Sequence, residues 1–160
     1  MKRRKFIQSA SLGTASIASL GFSALEESLP RPQASKYMGG FAAPGIATIK
    51  AAFIGLGYRG NDHLRNFARL PGTEVIGLCD LYQDNVAEKL ATLKAMDTNQ
   101  QHQAVKTYWG DEHRWREMLE ELAPNVVFIA TNWSNHAPMA IASMEKGAHA
   151  FVEVPLATST

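Results

Sequence analysis

Three glycines in the stretch Gly55-Leu56-Gly57-Tyr58-Arg59-Gly60 are spaced as G-x-G-x-x-G. Where such a stretch joins a strand to a helix, each glycine has its own task. The first permits a tight turn, the second lets backbone approach a pyrophosphate, and the third lets helix pack close to strand. The helix start then presents N–H groups without intrahelical partners, and the positive end of the helix dipole, to phosphate oxygens. With 12 glycines in 160 residues the bare pattern arises easily by chance, so the elements around it decide its meaning. Arg59 sharpens the question, because the helix dipole disfavours a cation in a first turn. A bound anion would account for it; a solvated surface arginine is the alternative. About 20 residues beyond Gly60 stands Asp80, where a carboxylate accepts hydrogen bonds from the adenosine ribose hydroxyls and repels a 2′-phosphate. Neither Lys nor Arg occurs from Leu81 to Glu88 to offset that repulsion. The expected cofactor is therefore NAD rather than NADP. The alternative for Asp80 is an acid that merely ends a strand. S-adenosylmethionine uses a similar turn and acid, but the complete glycine spacing favours a dinucleotide, and nothing further favours FAD.

A second cluster follows in Thr131-Asn132-Trp133-Ser134-Asn135-His136-Ala137-Pro138, and a third in Glu153-Val154-Pro155. Loops at the C-terminal ends of parallel strands face a ligand crevice. Trp133 and His136 placed there could pack against or hydrogen-bond a nicotinamide ribose. Equally, they could be a loop aromatic over the core and a helix-capping histidine. The remaining candidates are weaker. His63, His102, His113 and His149 are scattered without metal-ligand spacing. Cys79 lies inside an apolar run, as a small core residue does, and no G-x-S-x-G elbow occurs.

The elements needed to position these residues can be read from periodicity. Ile49 to Gly55 is a short apolar run suited to a buried strand. Asn61 or Asp62 is expected to cap a helix reaching Leu70, with Leu64, Phe67 and Ala68 inward, stopped by Pro71-Gly72. Glu74 to Asp80 reads as a second strand, and Asp84 opens a helix carrying Val86, Leu90 and Leu93 at helical spacing. A polar loop from Asp97 to Gln103 precedes a short strand around Val105 to Trp109. Glu112 to Leu122 reads as a helix with Trp115, Met118 and Leu119 inward. Val126 to Ala130 is a fourth strand, Pro138 to Lys146 a helix, and Ala148 to Glu153 a fifth strand. Apolar strands alternating with helices imply a parallel sheet covered on both faces, with right-handed crossovers. The fold class is α/β, a doubly wound parallel sheet of the Rossmann dinucleotide-binding kind.

Composition narrows the function classes. Of the 160 residues 46% are hydrophobic and 19% charged, which excludes a disordered chain. A single Cys excludes a disulfide framework and a Cys-rich zinc module. A formal net charge of +1 gives no electrostatic reason to expect nucleic acid. Four of the 16 cations are Lys2, Arg3, Arg4 and Lys5, and no acid precedes Glu26. A basic start, a mildly apolar stretch from Phe6 to Leu25 and small residues after it describe an export signal over residues 1–25. Its paired arginines are of the twin-arginine type, read by an export machinery rather than used as an anchor. A basic disordered start on a cytosolic protein is the alternative. Cleavage is expected near Ser23 or Ala24, no Cys stands there for a lipid anchor, and no run of about 18 apolar residues suggests a membrane span. Without those four cations, 12 remain against 15 acids, a balance of −3. Residues 26–47 are Pro/Gly-rich and read as a linker, leaving 48–160 for the dinucleotide-binding domain.

Taken together, Gly55 to Gly60, Leu78-Cys79-Asp80, the Asn132-Trp133…His136 loop and Gly147-Ala148-His149…Glu153-Val154-Pro155 resemble the glucose–fructose oxidoreductase/inositol dehydrogenase superfamily. Sugar dehydrogenases of that group usually carry Glu-Lys-Pro at the last position, with a lysine that is catalytic or tunes the cofactor; here Val154 replaces it. Glu-Val-Pro, Arg59, the Trp133 loop and Tyr37-Met38-Gly39-Gly40-Phe41-Ala42-Ala43-Pro44 are more similar to glycoside hydrolase family 109. That resemblance implies an exported NAD-dependent α-N-acetylgalactosaminidase, working on a small-molecule or glycan substrate in the periplasm or outside the cell. It implies NAD contacts at Gly55, Gly57, Tyr58, Arg59, Gly60, Asp80, Trp133, Ser134, Asn135, His136, Glu153 and Val154. It also implies transient oxidation at sugar C3, elimination of the glycosidic oxygen, water addition and re-reduction, outside the usual two-carboxylate scheme. Substrate-binding and catalytic groups are then expected in a second α+β domain, with none in this chain. An exported sugar or polyol oxidoreductase and a non-catalytic nucleotide-binding module are the competing readings.

Overall fold

A computed structural model of the chain describes residues 42–158. The expected signal (1–25) and most of the expected linker (26–47), including Tyr37 to Phe41, lie outside these residues. The chain divides into Met1–Pro44 and Gly45–Thr160, and the fold below belongs to the second unit.

Five strands alternate with four helices: β1 (Ile49–Ile54), α1 (Tyr58–Phe67), β2 (Thr73–Cys79), α2 (Gln83–Met96), β3 (Lys106–Tyr108), α3 (Arg114–Leu122), β4 (Val126–Ile129), α4 (Trp133–Glu145) and β5 (His149–Val152). The strands form one sheet in the order β3-β2-β1-β4-β5, with every pairing parallel. The chain winds outward from β1 in one direction, then crosses back to β4. That reversal opens a crevice beyond the C-terminal ends of β1 and β4, where doubly wound folds bind ligands.

Alternate residues of β1 feed the two faces. Ala51 and Phe53 join Leu64 and Phe67 of α1 and Val86 and Leu93 of α2. Ala52 and Ile54 join Trp115, Met118 and Leu119 of α3 and Met139 and Ala140 of α4. Burial on both sides is why the strands read as apolar throughout rather than alternating. The β1–β2 register shifts between Ala51 and Ala52. Nearby, a Cβ on Gly77 would come within 2.5 Å of Leu122 Cδ1, so a glycine lets α3 lie close on the sheet.

Three helix starts differ from the periodicity reading. The helix after the glycine turn begins at Tyr58 with Gly57 as its N-cap, not at Asn61 or Asp62, and no side chain caps it. The next to last helix begins at Arg114, because the Asp111 carboxylate accepts the His113 N–H at 2.7 Å and holds Asp111 and Glu112 in a turn. The last begins at Trp133, five residues before Pro138, which lies inside it. Pro138 is near enough to the start that its missing N–H removes one early hydrogen bond only. The cluster expected in a loop is therefore mostly the first turns of α4.

Candidate functional site

The three glycines of the β1–α1 turn meet different surroundings. Gly55 has φ +84°, and a Cβ on it would lie 2.5 Å from the Ala130 carbonyl oxygen. A Cβ on Gly60 would lie 1.9 Å from the Gly55 carbonyl oxygen. Both positions are dictated by the chain itself: the turn must pass β4, and the helix must pass the turn. Around Gly57 a Cβ would meet nothing within 4 Å, so packing within the described residues does not require a glycine there. The first backbone bond of α1 runs from the Asn61 N–H to the Gly57 carbonyl at 2.9 Å, which leaves the N–H groups before it without intrahelical partners. An uncapped helix start beside open space at the second glycine fits a pyrophosphate.

Gly57 lines a cleft of about 330 Å³ together with Gly55, Asp80, Asn85 and Asn135, a volume in the range of small-molecule sites. Asp80 is built into its wall. One carboxylate oxygen accepts the Leu56 N–H at 2.7 Å. The other accepts the Tyr82 N–H at 3.0 Å and the Asn85 side-chain amide at 3.1 Å. The acid thus ties the middle of the glycine turn to the start of α2, with its oxygens facing the cleft between them. Asp111 and Glu112 also line this cleft, adding negative charge on the side of Asp80. Cys79 lines it too, but the thiol is buried. Burial first, and the Asp80 charge second, push its pKa up to about 12, which suits a core residue and not a nucleophile.

A smaller cleft of about 110 Å³ adjoins the first, with Ala130 and Thr131 lining both. Arg59, Trp133, His136, Glu153 and Val154 complete it. The predicted residues therefore separate into two groups along one crevice: Gly55, Gly57, Asp80 and Asn135 in the larger cleft, these five in the smaller. Gly60 underpins the turn. Tyr58, 81% exposed, and Ser134, also exposed, stand beside the crevice without lining either cleft. Trp133 and Val154 are 61% and 80% exposed, open to a ligand or a further surface.

The anion expected beside Arg59 exists within the chain. Glu153 Oε1 accepts from Arg59 Nη2 at 2.8 Å and Nε at 3.1 Å, and Asp62 stands 3.8 Å from the same guanidinium. His63 Nε2 reaches the same Glu153 oxygen at 2.5 Å. These donors, His63 first, hold the Glu153 carboxyl below its ordinary pKa. Periodicity carried a signal for His63 that went unread: it follows Arg59 by four residues, on the same helix face.

His136 is 1% exposed. Its Nδ1 lies 2.8 Å from the Pro155 carbonyl oxygen and its Nε2 3.1 Å from that of Thr131. Both ring nitrogens are occupied by backbone, so the ring braces the turn after β5 against the turn after β4. It shapes the smaller cleft as part of its wall. Asn85, Asp111 and Glu112 were not anticipated at the site. Asn85 sits in the first turn of α2; Glu112 stands at the start of an expected helix and Asp111 just before it.

Comparison with known proteins places this geometry. Glycosyl hydrolase family 109 protein 2 of Akkermansia muciniphila is 44% identical over 132 residues, covering 81% of this chain and 27% of that protein. A glycosyl hydrolase family 109 protein of Shewanella baltica is 38% identical over 161 residues, covering 97% and 34%. The chain spans about a third of the length of the curated relatives it matches. Among solved structures, myo-inositol dehydrogenase from Lactobacillus casei, in complex with NAD(H) and myo-inositol, shares the fold with a TM-score of 0.58 at 21% identity, over 70% of this chain and 30% of that one. An NAD binding oxidoreductase from Klebsiella pneumoniae has a TM-score of 0.51 at 28% identity, over 70% and 28%. Residues 49–160 match the GFO/IDH/MocA family, described as an oxidoreductase family with an NAD-binding Rossmann fold. With its glycine turn, an acid directly after β2 and a parallel sheet in the order 3-2-1-4-5, the chain belongs to that NAD-binding family.

Proposed function

We propose that this chain is the NAD-holding part of an exported glycosidase that acts on α-N-acetylgalactosaminides and keeps NAD as a bound cofactor. The observation that carries this reading is the 44% identity to a protein named for glycosyl hydrolase family 109. Val154 supports it: the smaller cleft holds no lysine, whereas the sugar dehydrogenases the sequence resembles usually carry one at this position. When bound, NAD supplies reversible hydride acceptance at a sugar carbon, so oxidation can open the way to elimination and be undone afterwards.

The chain's own residues would divide the cofactor between the two clefts. Asp80 holds the adenosine ribose, the open face at Gly57 and the uncapped start of α1 hold the pyrophosphate, and Trp133, His136 and Val154 wall the nicotinamide end. Proton transfers to the sugar then fall to groups outside this chain. The twin-arginine-like start fits such a cofactor, since export in the folded state carries NAD along.

Full-length gene product purified from the periplasm tests the reading. Incubated with p-nitrophenyl α-N-acetylgalactosaminide, it should release nitrophenol without net NADH and yield NAD(H) on denaturation. Turnover that requires an external electron acceptor would instead identify a sugar or polyol oxidoreductase, a reading favoured by the inositol dehydrogenase fold. NAD binding without turnover on any sugar would leave only a nucleotide-binding module.

A further inference from the structure

We propose that His63 is a positioning residue for the nicotinamide half of NAD, acting through Glu153. The proposal rests on the division of the cofactor between the two clefts given above.

Arg59 and His63 lie on one face of α1, and both donate to a single oxygen of Glu153, beyond the end of β5 and 90 or more residues away in sequence. Glu153 is the acid of the smaller cleft, beside the helix start that would receive the pyrophosphate. An unneutralised carboxylate there would repel the nicotinamide-side phosphate, which AMP lacks. Arg59 cannot hold it alone: its side chain is 58% exposed, and exposed ion pairs are weak and lose side-chain entropy. His63 is the fixed member of the pair, its side chain 17% exposed. Its ring packs against both Phe128, centroids 6.0 Å apart, and Phe151, centroids 5.2 Å apart in an edge arrangement. Phe128 in turn stacks on Phe53 at 4.7 Å. The imidazole is thus seated on the sheet's aromatic floor, and its 2.5 Å contact anchors the carboxylate against which Arg59 folds. Losing His63 would free Glu153 and Arg59 to shift within the smaller cleft they line, while Asp80 and the first cleft, which His63 does not line, would be untouched.

The test uses the full-length gene product stripped of nucleotide, titrated with NAD and with AMP, which reaches only the larger cleft. His63→Ala should weaken NAD by roughly tenfold, the scale of one hydrogen bond to a charged group, and leave AMP unchanged. His63→Gln, which keeps a donor near the Nε2 position, should restore most of the loss and serves as the second variant if the alanine protein does not fold. In a Glu153→Ala background, His63→Ala should have no further effect on NAD. Equal weakening of NAD and AMP would mean a merely structural histidine and overturn the proposal. Unchanged NAD binding in His63→Ala would overturn it as well, as would effects of His63→Ala and Glu153→Ala that simply add. If the unaltered protein binds NAD no more tightly than AMP, the assignment of the smaller cleft fails, and this proposal falls with it.

Discussion

Replacing Gly57 and Gly60 separately by alanine should divide ligand binding from folding within one six-residue motif. A methyl group at residue 60 would lie 1.9 Å from the Gly55 carbonyl oxygen and 2.9 Å from its carbon, and must be more than 3.0 Å away to be tolerated. Both obstacles are backbone, so the turn or the helix has to move by over 1 Å. Overpacking of this kind costs about 1–3 kcal/mol, and backbone obstacles put the cost at the upper end. The gain from a less flexible unfolded chain, about 0.4–1 kcal/mol, does not offset it. A net loss of about 2 kcal/mol is expected for Gly60→Ala. At Gly57 a methyl group meets nothing within 4 Å, and its φ of −63° and ψ of −162° suit alanine. Alanine is a poorer N-cap than glycine by several tenths of a kcal/mol, which roughly cancels the unfolded-state gain. Stability without NAD should therefore change by less than about 1 kcal/mol. The same methyl group fills the space the pyrophosphate would use, so NAD affinity should fall by about tenfold or more, 1.4 kcal/mol. Urea denaturation of the NAD-free variants and calorimetric NAD titrations measure both quantities. If Gly57→Ala loses as much stability as Gly60→Ala, or binds NAD as well as the parent, the division of roles among these glycines is wrong.

Titration with both nucleotides should show the parent favouring NAD over NADP by roughly tenfold or more, from charge repulsion at Asp80. Asp80→Ala should move that ratio toward parity while weakening NAD. Cys79, with its pKa pushed up to about 12 by burial, should resist a thiol-specific disulfide reagent at pH 8 and react fully in urea; rapid labelling of the native protein would contradict that burial. The Glu153 and Glu121 carboxyls are held below their ordinary pKa, Glu153 by His63 first and Glu121 by Lys106 first. Their contribution to stability is complete above the unfolded value near 4.5 and is lost as pH falls through the lower folded values. Melting temperatures should therefore drop on that acid side, and Glu153→Gln should reduce the drop. His102 accepts the Val75 N–H at 3.2 Å on Nδ1, and its Nε2 lies 3.0 Å from the Ala68 carbonyl oxygen. His102→Ala leaves a buried amide without its partner and should cost about 2 kcal/mol in urea denaturation.

Much of the fold was legible because a parallel sheet covered on both faces writes its strands as short apolar runs. Val126 to Ile129 and Val75 to Cys79 are examples, and the inward stripes Leu64, Phe67 and Trp115, Met118, Leu119 follow helical spacing. Helix starts were less legible. The start at Tyr58 uses no side-chain cap, and neither do the other three helix starts, so the usual sign of an N-terminus was missing. The last helix is expected only from Pro138, but it starts at Trp133, with no side-chain cap at Asn132 and with Pro138 inside it.

By itself the sequence determined the class of fold, the glycine turn between β1 and α1 and the acid directly after β2. Each of these depends on spacing within one strand–turn–helix unit. Tertiary structure alone decided which side chains meet across the crevice. Arg59 and His63 reach Glu153 only because the crossover lays β4 beside β1, with β5 next to it, bringing the end of β5 over the start of α1. His136 braces the Pro155 turn for the same reason. Such partners are set by strand order in space, and no local periodicity records that order.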